Sequence, residues 1–348
     1  MRVLVTGATG FLGSHVARRY AERGDAVRVL VRPTSDRRRL DGVAVEEAFG
    51  DVTDRASVER AVAGCDLVVH GAALVEFGPR DPTSLERVNV DGTRHVLDAA
   101  VAAGARVVHV SSLSALGPTI PGEPPKDESW WSPGPLAAVY EETKRAAHLH
   151  ARALAAGGAP VRLVMPGGIY GFGDESTMAD LIRAYGLWPL PVGYLPDVRQ
   201  STVHVDDCAD AIERVGDDDR PDADGQEYVV AGEAVTVADW IALIARAGDH
   251  RPPLVNLRAR WVEALGGPGG KVAGWLGQSP TMVPETVAVA VHDSAYTADK
   301  LRGALGWSSR PLEAGMREMV AAYRRESAQR RDAKRAARAA RRAQRAGP

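Results

Sequence analysis

The chain has 348 residues, a formal net charge of −2 and two cysteines. That length exceeds a usual single domain, so one large domain with an appended lobe is expected, and the near-neutral charge excludes a global attraction to nucleic acid or anionic membranes. Cys65 and Cys208 fit neither a metal spacing nor a disulfide framework; both read as small buried apolar residues in a reduced compartment. The first apolar run leads directly into a glycine turn, which is not a signal-peptide layout. No stretch approaches the roughly 20 apolar residues of a membrane span, and the expectation is a soluble, cytoplasmic protein.

Residues 1–165 alternate strand and helix patterns. Met1-Arg-Val-Leu-Val-Thr6-Gly7-Ala-Thr9-Gly10-Phe11-Leu12-Gly13 reads as a short strand, a glycine turn and the entry to a helix over 14–23. Gly7 permits the tight bend, Gly10 lets backbone N–H groups approach a pyrophosphate, and Gly13 allows close helix–strand packing, with the helix's positive end on the anion. Alone, such a triplet also fits a plain tight turn; the flanking strand and helix strengthen the binding reading. Further strands are expected at 27–31, 43–49, 66–70, 106–110 and 161–165, and helices at 56–63, 85–103 and 137–156. That alternation predicts an α/β fold, a doubly wound parallel sheet with helices on both faces and ligands beyond the strands' carboxyl ends.

From 166 to 320 the pattern loosens into a smaller lobe expected to carry the substrate pocket. It has a turn at 221–225, a glycine break at 266–270 and a strand at 226–231 that returns to the sheet. Residues 321–348 are a basic Ala/Arg-rich tail. Over 324–348 ten Lys or Arg face two acids, a net +8 that leaves the rest of the chain near −10. The run suits a helix but has no apolar stripe to bury, so it reads as a solvated or frayed tail; the alternative is an electrostatic arm for nucleic acid or lipid head groups.

The chemistry gathers behind the fifth strand. Ser111-Ser112 stands at its carboxyl end, and Tyr140-Glu-Glu-Thr-Lys144 opens the helix over 137–156. Residues i and i+4 share a helix face, so Tyr140 and Lys144 are expected to point into one cleft. There the ammonium would lower the phenol's pKa from ~10, making Tyr140 a proton donor or acceptor. Ser112 would hydrogen-bond the same carbonyl oxygen.

These motifs together resemble an extended short-chain dehydrogenase/reductase of the NAD-dependent epimerase/dehydratase superfamily. The similarity runs to about residue 320. It also covers Gly50-Asp51-Val52-Thr-Asp54, His70-Gly71-Ala72-Ala73, Asn89-Val-Asp-Gly-Thr93, Pro166-Gly-Gly-Ile-Tyr170-Gly171, Val203-His-Val-Asp-Asp-Cys-Ala209 and Asp299-Lys-Leu with Leu305-Gly-Trp307. The front half is most similar to dihydroflavonol-reductase-like and 3β-hydroxysteroid-dehydrogenase-like members, and resembles a hopanoid-associated sugar epimerase group. The resemblance implies that Ser112 positions the substrate oxygen, Tyr140 is the general acid/base, and Lys144 holds the nicotinamide ribose. It further implies adenine contacts from Asp51 and Val52, a cleft wall of Gly71, Ala72 and Pro166, support from Asn89 (or a plain helix N-cap there), and a homodimer built on helices 85–103 and 137–156.

The second strand ends in Val31-Arg32, with Arg37-Arg-Arg39 beyond and no acid to grip a ribose 2′-hydroxyl. That favours NADP(H) over NAD(H), unless Arg32 is an ordinary surface arginine. Leu113-Ser114 replaces the acid pair of the dehydratases. Gln200 stands where nucleotide-sugar epimerases carry arginine, although Arg199 is adjacent, and residues 283–298 contain no arginine. A diphosphate-bearing substrate is therefore disfavoured. Tyr170, Trp188 and Tyr194, with Trp130, Trp131, Leu190, Trp275 and Met282, are the candidate apolar pocket walls. The leading expectation is an NADP(H)-dependent oxidoreductase acting on a ketone or secondary alcohol of a hydrophobic small molecule. The alternatives are a sugar epimerase with tightly held cofactor and a non-catalytic cofactor sensor.

Overall fold

The computed structural model describes residues 1–79, 81–264 and 284–345. The sequence runs β1 (Arg2–Thr6), α1 (Phe11–Glu22), β2 (Ala26–Val31), β3 (Glu46–Phe49), α2 (Arg55–Val62) and β4 (Leu67–His70). One helical stretch follows: α3 (Pro82–Leu85), a π-helical segment (Glu86–Asp91) and α4 (Gly92–Ala102). Then come β5 (Arg106–Val110), α5 (Leu113–Leu116), α6 (Val139–Ala156) and β6 (Val161–Pro166). These six strands, joined by the later strand Glu227–Val230, form a seven-stranded sheet with wholly parallel pairings. The spatial order places β3, β2, β1, β4, β5 and β6 side by side and then the returning strand, a Rossmann-like doubly wound arrangement as expected. The central strands are valine-rich because both faces are covered: Val3, Leu4, Val5, Leu67, Val68, Val107, Val108 and Leu163 are buried. Cys65 and Cys208 are buried and unpaired.

The order of β1 beside both β2 and β4 creates the crevice at the strands' carboxyl ends. The strand expected over 226–231 appears as Glu227–Val230, pairing β6 in parallel. Buried Glu128 reaches it from the 117–138 segment, its carboxylate accepting the Val229 N–H at 2.7 Å. The remaining small strands are not legible from pattern. These are β7 (Gly168–Tyr170), β8 (Val192–Tyr194), β9 (Arg199–His204), β11 (Ala234–Thr236) and β12 (Val255–Leu257), the returning strand being β10. β7, β9 and β11 make one small sheet, and β8 pairs β12.

Around them pack α7 (Thr177–Leu187), α8 (Val205–Gly216) and α9 (Val237–Ala247), with short helices at Pro284–Ala290 and Asp299–Leu305. The terminal helix, Leu312–Arg345, is the helical one of the two forms expected for the tail and begins ahead of it. Its first turns bury Met316, Met319, Val320 and Tyr323 against Ile182, Tyr185, Trp240, Ile241 and Ile244, so the basic run continues a helix seated in the lobe. The glycine break at 266–270, Trp275 and Met282 lie outside the described residues.

Candidate active site

A cleft of about 1010 Å³ opens at the carboxyl ends of β1, β4, β5 and β6. Gly7, Thr9, Gly10, Phe11, Leu12, Gly13, Arg32, Asp51, Val52, Gly71, Ala72, Ser112, Tyr140, Lys144 and Pro166 all border it. At the nucleotide end the backbone builds the cradle. Gly7 has φ +75°, and a Cβ there would sit 2.8 Å from the backbone of Gly71 and Ala72; on Gly13 it would lie 2.2 Å from the Gly7 carbonyl oxygen. Both positions therefore exclude side chains. Gly10 is the N-cap of α1 with no side-chain cap, and the first turn has no acid, so its N–H groups and dipole are left for an anion. These features fit a dinucleotide's pyrophosphate.

Beyond β2 the four arginines divide. Arg37 pairs Glu47 at 2.8 Å, Arg38 pairs Asp36 at 2.5 Å, and Arg39 donates to the Gly173 carbonyl at 2.7 Å. Arg32, exposed and on the cleft, makes no side-chain hydrogen bond or ion pair among the described residues, and Ser35 borders the cleft beside it. The sequence reading missed Ser35; a hydroxyl three residues past the strand-end arginine was the available signal. Asp51 is fixed by Thr53, whose N–H and hydroxyl both donate to Oδ1 at 2.9 Å.

At the chemical end, Ser112 is the N-cap of α5, its Oγ accepting the Ser114 N–H at 3.1 Å. That bond aims the hydroxyl and leaves its own hydrogen to donate. Tyr140 and Lys144 lie one turn apart on α6, both buried. Lys144 Nζ donates to the Val110 carbonyl at 3.0 Å. The expected lowering of the Tyr140 pKa is not seen: burial pushes the phenol up to about 12, against the opposing Ser112 hydroxyl. Burial likewise pushes Lys144 down to about 8. The physical reason is shared, because burial strips water from each group and disfavours its charged form; the amine still keeps most of its proton at neutral pH, and burial of the phenol sets the direction of the Tyr140 shift. The arrangement thus holds a protonated phenol and a serine hydroxyl at one wall, both able to donate to an oxygen.

Asn89 does not line the cleft. It is buried inside the π-helical segment, so it is no N-cap either. Its amide donates to the Leu74 carbonyl at 3.0 Å and to Thr143 Oγ1 at 3.1 Å, and its carbonyl accepts the Leu74 N–H at 2.7 Å. It therefore ties the loop after β4 to the helix of Tyr140. That loop carries Leu74, Val75 and Phe77 to the cleft, and the Phe77 ring meets Tyr140 edge-on at 5.4 Å.

The expected substrate wall requires correction. Tyr170 is buried in the lobe core, edge-on to His204 and beside Gly315. Trp188 is a surface residue, 65 % exposed. Tyr194 joins two apolar clusters away from the cleft. Trp130 donates to the Pro118 carbonyl, and Trp131 packs on His148; neither lines the cleft, nor does Leu190. The side chains actually present are Phe77, Val75, Met178, Ile169 and Val289, with Glu141, Gln200 and His292 as polar points. They come from loops and helix ends whose packing has no sequence period, so no pattern singles them out. Arg199 is committed to buried Asp293, its Nη2 at 2.6 Å and its backbone N–H at 2.7 Å, and is no free cation for a diphosphate.

The model of the NAD dependent epimerase/dehydratase family matches residues 3–231. Sterol demethylase protein B of Methylococcus capsulatus is 41% identical over 275 residues, covering 76% of this chain and 80% of that protein. The human 3 beta-hydroxysteroid dehydrogenase type 7 is 35% identical over 202 residues, 52% of this chain and 53% of its own. Among solved structures, gox2253 superposes with a TM-score of 0.77 at 29% identity, covering 93% of this chain and 98% of that one.

Proposed function

We propose, from the premise that this chain belongs to the NAD dependent epimerase/dehydratase family and is an NAD(P)-dependent oxidoreductase, that it interconverts a ketone and a secondary alcohol on a hydrophobic small molecule with NADP(H). The observation that carries the reading is the single cleft shared by the glycine turn, Ser112, Tyr140 and Lys144, with Phe77 against the phenol. Gly7, Gly10 and Gly13 with the α1 terminus hold the dinucleotide, Asp51 and Val52 flank its adenine, and Arg32 with Ser35 takes a 2′-phosphate. Bound there, the nicotinamide supplies or accepts the hydride. Ser112 donates to the substrate oxygen, and Tyr140, kept protonated by burial, gives its proton to that oxygen as negative charge develops on it. Lys144 then stands one helical turn away to restore it. In the reverse direction Tyr140 must first lose its proton, so reduction is the favoured sense at neutral pH.

The apolar lining from Phe77, Val75, Met178 and Val289, and the absence of a free arginine near Gln200 among the described residues, support a hydrophobic substrate over a nucleotide sugar. The sterol names of the two relatives point the same way. Two copies pairing through α4 and α6, where Leu149 is exposed, complete the reading. The test is titration calorimetry with NADPH against NADH, followed by NADPH oxidation with steroid, flavonoid and aliphatic ketones. Tighter NADPH and ketone-dependent oxidation are expected; equal affinities, or a cofactor that stays bound with no net absorbance change, would favour an epimerase.

A further inference from the structure

The surface of the lobe carries an apolar patch that nothing in the redox chemistry uses. Trp188, Leu190 and Val192 lie on one segment; Leu254 and Val255 lie on the segment paired to it, with Val255 opposite Val192 and the Leu254 N–H on the Pro191 carbonyl at 2.9 Å. All five are exposed, Leu254 by 84 %. A few residues on, Trp261 is exposed beneath the Arg260 guanidinium, 5.5 Å from its ring. Exposed Arg251 adds a cation beside the patch, and exposed Arg258 pairs Asp197 at 3.8 Å. A contiguous apolar patch of this kind on a protein surface marks an interaction site.

The basic helix leaves the body beside this patch. Val320 packs on Gly186, Gly186 touches Gly248, and Arg324 pairs Asp249 at 2.8 Å. The helix therefore emerges against Gly186, two residues before Trp188, and against Asp249, five residues before Leu254. From there to Arg345 it spans about 30 Å at the helical rise. Residues 324–348 carry the net +8, with alanine as the main apolar type. Such an arm cannot insert in a bilayer; it can lie on an anionic surface.

We infer that the Trp188–Val192 and Leu254–Val255 patch, together with the basic arm, docks the protein on a bilayer that contains anionic phospholipid. Trp and aliphatic side chains seat at the head-group boundary while clustered arginines are drawn by the negative surface potential. A phosphate backbone would leave the aliphatic side chains without use, and a second copy would bring two arms of like charge together. The patch also adjoins the cleft mouth. Val262, next to Trp261, packs with Val287 on the helix Pro284–Ala290, whose Thr286 and Val289 line the cleft. Delivery of substrate from the bilayer thus rests on the hydrophobic-substrate reading above, whereas docking does not.

The test is co-sedimentation of the full chain with vesicles of phosphatidylcholine alone or with about one-third phosphatidylglycerol. Binding is expected only with the anionic lipid, and its loss is expected in about 0.5 M salt. Arg338→Gln, Arg341→Gln, Arg342→Gln and Arg345→Gln together should weaken it more than about tenfold. Trp188→Ser with Leu254→Ser should weaken it severalfold while leaving the salt dependence in place. Thermal melting checks that both variants fold. No binding to anionic vesicles, binding to short duplex DNA or RNA in preference to them, or a patch variant that changes only the oligomeric state would overturn the inference. Vesicle binding without any ketone reduction would leave docking standing and sink the redox reading alone.

Discussion

The two ends of the cleft are built from different materials. The nucleotide end is backbone: a positive-φ turn at Gly7, a Gly13 whose missing Cβ leaves room for the Gly7 carbonyl, and an uncapped helix terminus. The substrate end is side chains delivered by separate segments: Phe77 from the loop after β4, Met178 from α7 and Val289 from the helix Pro284–Ala290. These pieces are tied together by single contacts, such as Asn89 on Leu74 and the Gly78 N–H on Glu285 at 2.7 Å. A backbone cradle tolerates almost no substitution, whereas a side-chain wall can be re-lined without disturbing the sheet. One end is suited to a constant cofactor, the other to a changing substrate.

The sharpest way to break that division is at the border between the ends. Tyr140→Phe keeps the ring packed on Phe77 and removes only the proton. It should lower kcat by about a thousandfold and leave NADPH affinity unchanged. A rate within tenfold of the parent would remove Tyr140 from the chemistry. With the phenol pushed up to about 12 and Lys144 down to about 8, kcat/KM for reduction should stay flat from pH 6 to about 8 and fall above it as the lysine that restores the proton titrates. Oxidation should rise with pH over the same span, because it needs the phenolate. Opposite slopes would reverse the assigned direction.

The nucleotide end is tested next by Arg32→Glu. Among the described residues the side chain has no partner to lose, so the fold should be unaffected. A carboxylate facing a 2′-phosphate should weaken NADPH by about a hundredfold and leave NADH binding unchanged or improved. Equal losses for both cofactors in calorimetry would show that Arg32 does not read the 2′ position.

What could be read from the sequence follows the same division. The parallel sheet, its returning strand and the glycine turn were legible because burial on both faces and backbone sterics leave periodic or invariant marks in a single chain. Tyr140 and Lys144 were legible because a helix enforces their spacing. Their electrostatics were not: spacing implied a charged amine lowering a phenol's pKa, but the degree of burial, which pushes the phenol up and the amine down, is a tertiary quantity. Tyr170, Trp188 and Tyr194 misled for a related reason. Aromatic content marks a residue as worth burying or exposing, and says nothing about which cavity it meets. Asn89 was expected to stand near the active site and does, yet its hold on Leu74 depends on a π-helical turn that no composition signals. In the terminal helix the charge and the helix-compatible run were legible, whereas the seating of Met316 and Tyr323 just ahead of that run was not.

Lys144 joins the two ends, and its burial predicts a trade between function and stability. The folded pKa is depressed from the ordinary 10.5 to about 8, so the unfolded chain binds more protons between those values. This stability is present above about pH 10.5, is lost as pH falls towards about 8, and is absent at neutral pH. Lys144→Met should therefore abolish turnover yet raise neutral-pH stability by about 1–3 kcal/mol, after allowing for the lost bond to the Val110 carbonyl. Denaturant unfolding should show the gain shrinking from pH 8 to 10.5. A destabilised variant at pH 7 would mean the lysine is charged and paired in the folded protein.

The smallest effect belongs to the substrate wall, and it bears most directly on the difference between the ends. Phe77→Ala removes an apolar face from the cleft and should raise KM for a hydrophobic ketone by about tenfold, with NADPH binding unchanged. Trp188→Ala, made at an exposed site away from the cleft, should change KM for a water-soluble ketone by less than about twofold, as for a distant surface substitution. If Trp188 rather than Phe77 governed substrate affinity in solution, the wall would be formed by a closed arrangement of the lobe. The separation drawn here between a fixed cofactor cradle and a side-chain-lined substrate end would then have to include motion of the lobe itself. If both were silent, specificity would rest on the polar points Glu141, Gln200 and His292, and the substrate would carry a second polar group facing them.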